Sequence, residues 1–317
     1  MAFMLLEFLG SGSFGKVFKV RLKSTNEIFA MKVLKKSFLI KNKLVRYAIA
    51  ECNILKKSNC PFIIKLHYSF QTPENLYMIL DYCPKGDLKY QIDYSLLEED
   101  EAKFYIAELI LAIEYLHKND ILYRDLKPEN ILIDSEGHIK LTDFGLAKEN
   151  INNNIPNKTV CGTLQYLSPE VLNKEGATKA SDIYGIGAIL YQAVTGYPPF
   201  YSDNEGKMLK NIAENKMKFH EFLSDEIKDL FTKLLDKDPN KRLGINNDKK
   251  DLKDHIFFSD INWEDISKKK NRPPADMIDY MKDNENINNN QSFIDYDYTS
   301  ENYNLKRIQN FTFIKSE

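Results

Sequence analysis

The stretch Tyr123-Arg124-Asp125-Leu126-Lys127-Pro128-Glu129-Asn130, followed thirteen residues after Asn130 by Asp143-Phe144-Gly145, decides how this chain is read. One short loop offers a carboxylate, an ammonium group and an amide. The second motif adds a carboxylate two residues before a glycine. Hard oxygen ligands of this kind hold Mg²⁺, a carboxylate can orient a hydroxyl and take its proton, and a cation can sit on a moving phosphoryl group. Asp143 and Asn130 fit the metal roles, Asp125 the base and Lys127 the cation. Each segment alone reads as an ordinary polar turn. Their co-occurrence, in this order and with two features upstream, makes that reading improbable.

The first upstream feature is Gly10-Ser11-Gly12-Ser13-Phe14-Gly15, a G-x-G-x-x-G match. A dinucleotide-binding fold needs a helix directly after the glycines and an acidic residue about 20 positions on. Here Lys16-Val17-Phe18-Lys19-Val20 alternates like a strand. A glycine turn between two strands instead makes a flap whose backbone amides can lie on phosphates; an ordinary hairpin turn shares the pattern. The second feature is Ala30-Met31-Lys32, which puts a lysine inside an apolar strand, where an unpaired charge is expensive. Glu51, on a helical stretch 19 residues later, can pair with Lys32 and leave it fixed and charged for phosphate oxygens.

Working outward, residues 4–34, 63–70 and 76–81 read as strands, and residues 43–57 as a helix with Leu44, Ala48, Cys52 and Leu55 on one face. Cys83-Pro84-Lys85-Gly86-Asp87 is a breaker cluster and candidate hinge. Beyond it, 101–118, 183–195 and 225–236 read as helices. A strand-rich piece followed by a helix-rich piece implies an α+β fold in two lobes. Asparagine-rich stretches at 150–157 and 284–291 have little apolar surface to bury.

Composition narrows the classes further. The 317 residues are 43% hydrophobic and 28% charged, which suits a sizeable core. A formal charge of −2 gives no support for nucleic-acid or membrane attraction as the main activity. The four cysteines form no C-x-x-C pair, which disfavours a zinc knuckle or disulfide scaffold and favours a reducing, cytoplasmic setting. The start lacks the basic residues and cleavage site of a signal peptide. The uncharged run 183–202 holds Gly185, Gly187, Gln192, Gly196, Pro198 and Pro199, and suits a buried helix and turn better than a membrane span.

Taken together, these motifs resemble the protein kinase family, and the resemblance runs from about Leu5 to the last residues. It implies a bilobal fold: a β-rich N-lobe over 1–81, a larger helical C-lobe over 82–258 and a tail over 259–317, with ATP and Mg²⁺ between the lobes. By matching position, Gly10, Ser11, Gly12, Ser13, Phe14 and Gly15 would cover the phosphates. Leu9, Val17, Ala30, Leu80, Leu132 and Thr142 would line the adenine pocket, with backbone contacts from Asp81 and Cys83. Leu55, Leu66, Tyr123 and Phe144 would form an apolar column. Ser168-Pro169-Glu170 stands where the family has A-P-E; Glu170 would pair with Arg242, and Asp182 would anchor the loop.

Lys127 and Gly162-Thr163 resemble serine/threonine rather than tyrosine kinases. Tyr123 in place of the usual His, and the tail segments His255-Ile256-Phe257-Phe258, Ile261-Asn262-Trp263, Pro273-Pro274 and Phe293-Ile294-Asp295-Tyr296, resemble the AGC group, on its protein kinase B branch. Ile308-Gln309-Asn310-Phe311-Thr312-Phe313 resembles that group's C-terminal hydrophobic motif. The resemblance implies phosphorylation at Thr159 and Thr312, an upstream kinase that docks through the tail motif, and a monomer. It also implies protein substrates with arginine N-terminal to the acceptor, received by Asp87 and Glu129. Two other classes compete. A pseudokinase scaffold would bind nucleotide without turnover, yet Lys32, Asp125, Asn130 and Asp143 are all present. A dinucleotide-binding oxidoreductase fails on the strand after the glycines.

Overall fold

The computed structural model describes residues 3–12, 15–149, 151, 161–245, 252–274, 277–279, 307–309 and 311–314. Ser13, Phe14, Thr159, the asparagine-rich stretches at 152–157 and 284–291 and the 293–296 tail segment lie outside the described residues. The described residues fall into two compact units.

The first unit is an antiparallel sheet. Strands β1 (Phe3–Ser11), β2 (Lys16–Leu22) and β3 (Ile28–Lys35) follow in order, then helices α1 (Lys36–Lys41) and α2 (Val45–Lys57), then β4 (Leu66–Gln71) and β5 (Asn75–Asp81). The sheet order is β1-β2-β3-β5-β4, and a sixth strand, β8 (Phe313–Ile314), joins at the β4 edge. Strand residues alternate faces. Phe29 and Met31 of β3 therefore join Val20, Leu22, Tyr77 and Ile79 in one apolar cluster. Lys32, the residue after Met31, points to the opposite face and meets Glu51 of α2.

The second unit is mostly helical. Its helices are α3 (Leu88–Tyr94), α4 (Glu99–Lys118), α5 (Pro169–Leu172), α6 (Lys179–Thr195), α7 (Glu205–Glu214), α8 (Asp225–Leu234) and α9 (Trp263–Ser267); a two-stranded ribbon, β6 (Ile131–Ile133) and β7 (Ile139–Leu141), lies among them in sequence. α6 is buried from Asp182 through Thr195, which explains its long uncharged run. It packs on α4 and α8 as the centre of the helical core. Among the described residues no helix is long and apolar enough to cross a membrane.

Several boundaries differ from the sequence reading for local reasons. α4 starts at Glu99 because the Glu101 side chain accepts the Glu98 backbone N–H at 2.9 Å, an N-terminal capping contact. α6 starts at Lys179 because the Thr178 hydroxyl caps it. α3 and α7 are short helices outside the expected set; α7 buries Met208 and Ile212, one turn apart. The division between units falls after Pro84, and the segment through Asp279 belongs with the helical unit. Its attachments explain that: Lys269 pairs with Asp134 at 2.8 Å, and Ile266 is buried. The Gln91 amide donates to the Ile278 carbonyl at 2.9 Å and accepts the Ile278 N–H at 3.1 Å.

A buried ion pair ties α5 to the region after α8. Arg242, 1% exposed, donates Nη1 and Nη2 to the two oxygens of Glu170 at 2.7 Å each. Two further hydrogens reach the carbonyls of Ala180 and Asp236 at 3.0 and 2.8 Å, so each guanidinium nitrogen has a partner inside the protein. Burial alone would raise the Glu170 carboxyl; the Arg242 hydrogen bonds and charge outweigh it and hold it below the usual glutamate range. Because the folded value is depressed, this pair stabilises fully above the unfolded glutamate value and loses that contribution as pH falls through the lower folded one. Arg242→Ala should cost about 3–5 kcal/mol in urea denaturation at neutral pH, since it strands a buried carboxylate. The gap to the parent should narrow on acidification below the ordinary Glu value of 4.5; a gap that is small or independent of pH would contradict this account.

Candidate active site

The loop Tyr123–Asn130 takes its shape from a buried carboxylate. Asp182, near the start of α6 and 2% exposed, accepts the backbone N–H of Tyr123 at 3.0 Å and of Arg124 at 2.9 Å. His117, at the end of α4, lies 2.8 Å from the same carboxylate. These contacts hold Arg124 at φ +70°, a conformation an arginine rarely adopts unless its surroundings impose it. The loop also needs room against α6. A Cβ on Gly185 would come within 2.9 Å of the Leu126 Cβ, so only glycine lets the loop approach this closely.

On that support the polar side chains converge. Lys127 Nζ and Asn130 Nδ2 each donate to Asp125 Oδ2 at 3.0 Å. Asn130 Nδ2 also donates to the Asp125 carbonyl at 2.9 Å. Lys127 reaches the Thr163 hydroxyl at 3.3 Å, which itself lies 3.5 Å from Asp125 Oδ1. The Thr142 N–H donates to the Asn130 carbonyl at 2.9 Å, which brings the Asp143 backbone beside the loop. Asp143 is left-handed (φ +54°) and its carboxylate accepts from Gly145 N at 3.4 Å. Phe144 is fully buried with its ring centroid 5.3 Å from that of Tyr123. Burial pushes the Tyr123 hydroxyl well above the ordinary tyrosine range, and the nearby Asp143 and Asp125 charges add to the shift.

The donor set fits a magnesium ion that shares its coordination with a phosphate ligand. Among the described residues no group of three or more His, Cys, Asp or Glu could enclose a metal. Mg²⁺ commonly takes one or two protein oxygens and completes its shell from phosphates and water. With the Asn130 amide nitrogen committed to Asp125, its carbonyl oxygen is the atom that would face a metal.

The first unit carries the other half of the predicted set. Lys32 Nζ donates to Glu51 Oε1 and Oε2 at 2.7 and 3.0 Å, with both residues buried. Gly12 N donates to Gly15 O at 2.9 Å and closes the glycine turn. A Cβ on Gly15 would lie 2.2 Å from the Val33 carbonyl oxygen, so no side chain fits there. Val17 pairs with Lys32, and Ala30 with Lys19 and Leu80, so these apolar positions cluster around the lysine in the sheet register. Leu9, Gly10, Ser11, Asp81 and Cys83 also belong to this unit, whereas Leu132 and Thr142 belong to the helical one.

Asp87 caps α3 through Oδ1, which accepts the Tyr90 N–H at 2.8 Å. Burial raises its carboxyl above the usual aspartate range; the cap bond opposes this, and the Glu129 charge adds to it. Gln192 is buried and accepts the Tyr166 hydroxyl at 2.6 Å. Burial pushes the Cys161 thiol up, with Arg124 opposing, so it sits in its less nucleophilic form. The tail motif lies on the first unit: Phe311 is fully buried, and its carbonyl accepts from Ser69 Oγ, from Lys56 Nζ at 3.1 Å and from Cys52 Sγ at 3.6 Å. Gln71 holds the Ile308 backbone by two bonds of 2.9 Å, and Thr312 is exposed. The sequence reading missed His117, Gly185 and the two glutamine clamps. A histidine or glutamine has no positional signature before its partner is known.

A sequence model of the protein kinase domain matches residues 3–258. The serine/threonine-protein kinase SCH9 of Candida albicans is 44% identical over 312 residues, 96% of this chain and 39% of that protein. The serine/threonine-protein kinase Sgk1 of Fundulus heteroclitus is 46% identical over 274 residues, 86% of this chain and 64% of that protein. Sgk1 of Homo sapiens is 45% identical over the same length. The chain therefore spans between 39% and 64% of these relatives.

Gly162 faces the loop from the other side at φ +108°, and a Cβ there would meet the Arg124 carbonyl oxygen and a Leu167 methyl at 2.8 Å each. Gly162→Ala should therefore destabilise by about 1–3 kcal/mol, with faster amide exchange in 123–130. A variant as stable as the parent, with unchanged exchange, would show that the loop is not packed as described.

Proposed function

The chain belongs to the protein kinase family, within its AGC group, and from that membership we propose that it transfers the γ-phosphoryl group of ATP to serine or threonine hydroxyls of proteins. The observation that carries this reading is the convergence of Lys127 and Asn130 on Asp125 Oδ2, on a loop held by Asp182. Lobes and tail are assigned by the family pattern rather than by the compact units: an N-lobe over 1–81, a C-lobe over 82–258 and a tail over 259–317, of which the part through Asp279 packs with the helical unit. The protein acts as a cytoplasmic monomer.

Each side chain has a defined task in this reading. Lys32, kept charged and straight by Glu51, holds phosphate oxygens of ATP. The turn Gly10–Gly15 lays backbone amides over the phosphates. Leu9, Val17, Ala30, Leu132 and Thr142 receive the adenine, with backbone contacts at Asp81 and Cys83. Asn130 and Asp143 would hold Mg²⁺, which would supply positive charge against the phosphates. Asp125 orients the acceptor hydroxyl and takes its proton. Lys127, whose partners are Asp125 and Thr163, supplies positive charge where the phosphoryl group moves. Positioning and preorganised charge account for most of the rate.

Asp87 and Glu129 receive an arginine three residues before the acceptor. Asp87 has one oxygen committed to its cap, and burial makes its charge costly, so a guanidinium that neutralises it is favoured. With Gln192 committed to Tyr166, no second acidic receptor stands there, and selection two residues before the acceptor is weaker. Phosphorylation at Thr159 would set a doubly charged group against Arg124, and phosphorylation at Thr312 would consolidate tail docking. The upstream kinase docks through the same tail motif.

Radiolabelled ATP turnover on an arginine-containing peptide tests the reaction. The parent should phosphorylate it. Asp143→Ala should lose about 10²–10³-fold or more, and Asp125→Ala about 10²–10⁴-fold. Replacing the peptide's arginine should lower kcat/KM about tenfold, the loss of one charge-assisted bond. A parent no faster than Asp143→Ala would favour a nucleotide-binding scaffold. Separately, deleting 308–317 should lower activity while ATP affinity is retained; full activity in the truncated chain would sink the tail's role.

A further inference from the structure

Residues 35–46 of the first unit, Lys-Lys-Ser-Phe-Leu-Ile-Lys-Asn-Lys-Leu-Val-Arg, hold five cations and no carboxylate. The short helix α1 sorts them. Lys36 and Leu39 point inward: both are buried, and Lys36 donates to Gln71 at 2.9 Å. Phe38 and Ile40 point outward, 44% and 51% exposed, and Lys35, Lys41, Lys43 and Arg46 are exposed around them. Among the described residues Lys35, Lys41 and Lys43 make no ion pair, whereas surface lysines elsewhere do, as in Lys89–Asp93, Lys233–Asp229 and Lys268–Glu264. Arg46 stacks on Tyr47. The adjoining turn brings one acid, Glu74, whose carbonyl accepts the Lys36 N–H at 2.8 Å. In a chain of net charge −2, this is a local excess of unpaired positive charge around two exposed bulky apolar side chains.

We propose that the exposed side of α1 docks on an anionic lipid surface, with Phe38 and Ile40 resting at headgroup level on the two flanks of the short helix and Lys35, Lys41 and Lys43 on acidic lipid headgroups. Size decides between a lipid and a protein partner. A stable protein interface takes about 20–30 residues a side, and this patch has six. A membrane surface needs only a few cations and one or two apolar anchors, and binds through them weakly and reversibly. The apolar pair separates the two cases as well, because charge alone would serve an acidic peptide. The inference does not depend on phosphoryl transfer.

Flotation of the full chain with phosphatidylcholine vesicles, with and without phosphatidylserine, tests it. Binding should appear only with phosphatidylserine and weaken with added salt. Lys41→Glu/Lys43→Glu and Phe38→Ser/Ile40→Ser should each lower it at least about tenfold while the thermal midpoint stays at the parent's value, since all four side chains are exposed. Absence of binding to phosphatidylserine vesicles, or binding indifferent to both double variants, would overturn the proposal. So would capture by polyglutamate that survives Phe38→Ser/Ile40→Ser, which would mark an acidic protein as the partner.

Discussion

The carboxylate of Asp182 is the constraint on which the site depends. It sits inside the helical core at the start of α6 and receives two backbone N–H groups from the loop and one imidazole from α4. A buried carboxylate is costly unless its lone pairs are used, and these contacts use them. The same bonds compensate for the left-handed turn at Arg124 and set the direction in which Asp125, Lys127 and Asn130 leave the backbone. Gly185 completes the fit, because any side chain there would push Leu126 and the loop away from α6. The polar side chains of the loop are thus placed by groups behind it, Asp182, His117 and Gly185.

Buried charge recurs through the molecule, and each instance has a defined partner. Lys32 meets Glu51 across the sheet face; Arg242 meets Glu170 with each guanidinium nitrogen bonded; Glu108 accepts from the Ile139 N–H at 2.9 Å and lies against His138. Such pairs contribute little net stability compared with apolar packing of the same volume, but breaking one is expensive. They fix geometry. Lys32 sits in an apolar strand with its side-chain nitrogen held by both oxygens of Glu51.

How far the sequence discloses this depends on the kind of signal. The alternation Val17, Phe18, Lys19 after the glycines separates a strand from a helix, because side-chain period is a local property. Lys32 and Glu51 are legible as a pair since a lysine in an apolar run demands a partner. The long buried α6 is legible in its lack of charge. By contrast, the ten-residue α7 buries just Met208 and Ile212, one turn apart, and the Thr178 cap that lengthens α6 is one hydroxyl among many. The Gln71 and Gln91 clamps on Ile308 and Ile278 were out of reach. A glutamine imitating a peptide group carries no spacing rule, and its partner lies about 190 or 240 residues away.

Calorimetric titration of the chain with ATP, in the presence and absence of Mg²⁺, is the most direct test of the site as a whole. The oxygens of Asn130 and Asp143, placed by the Asp182-anchored loop, predict tighter nucleotide binding with the metal, and a difference that collapses in Asn130→Ala while metal-free affinity persists. Equal affinity with and without Mg²⁺ in the parent, or a metal effect untouched by Asn130→Ala, would contradict it.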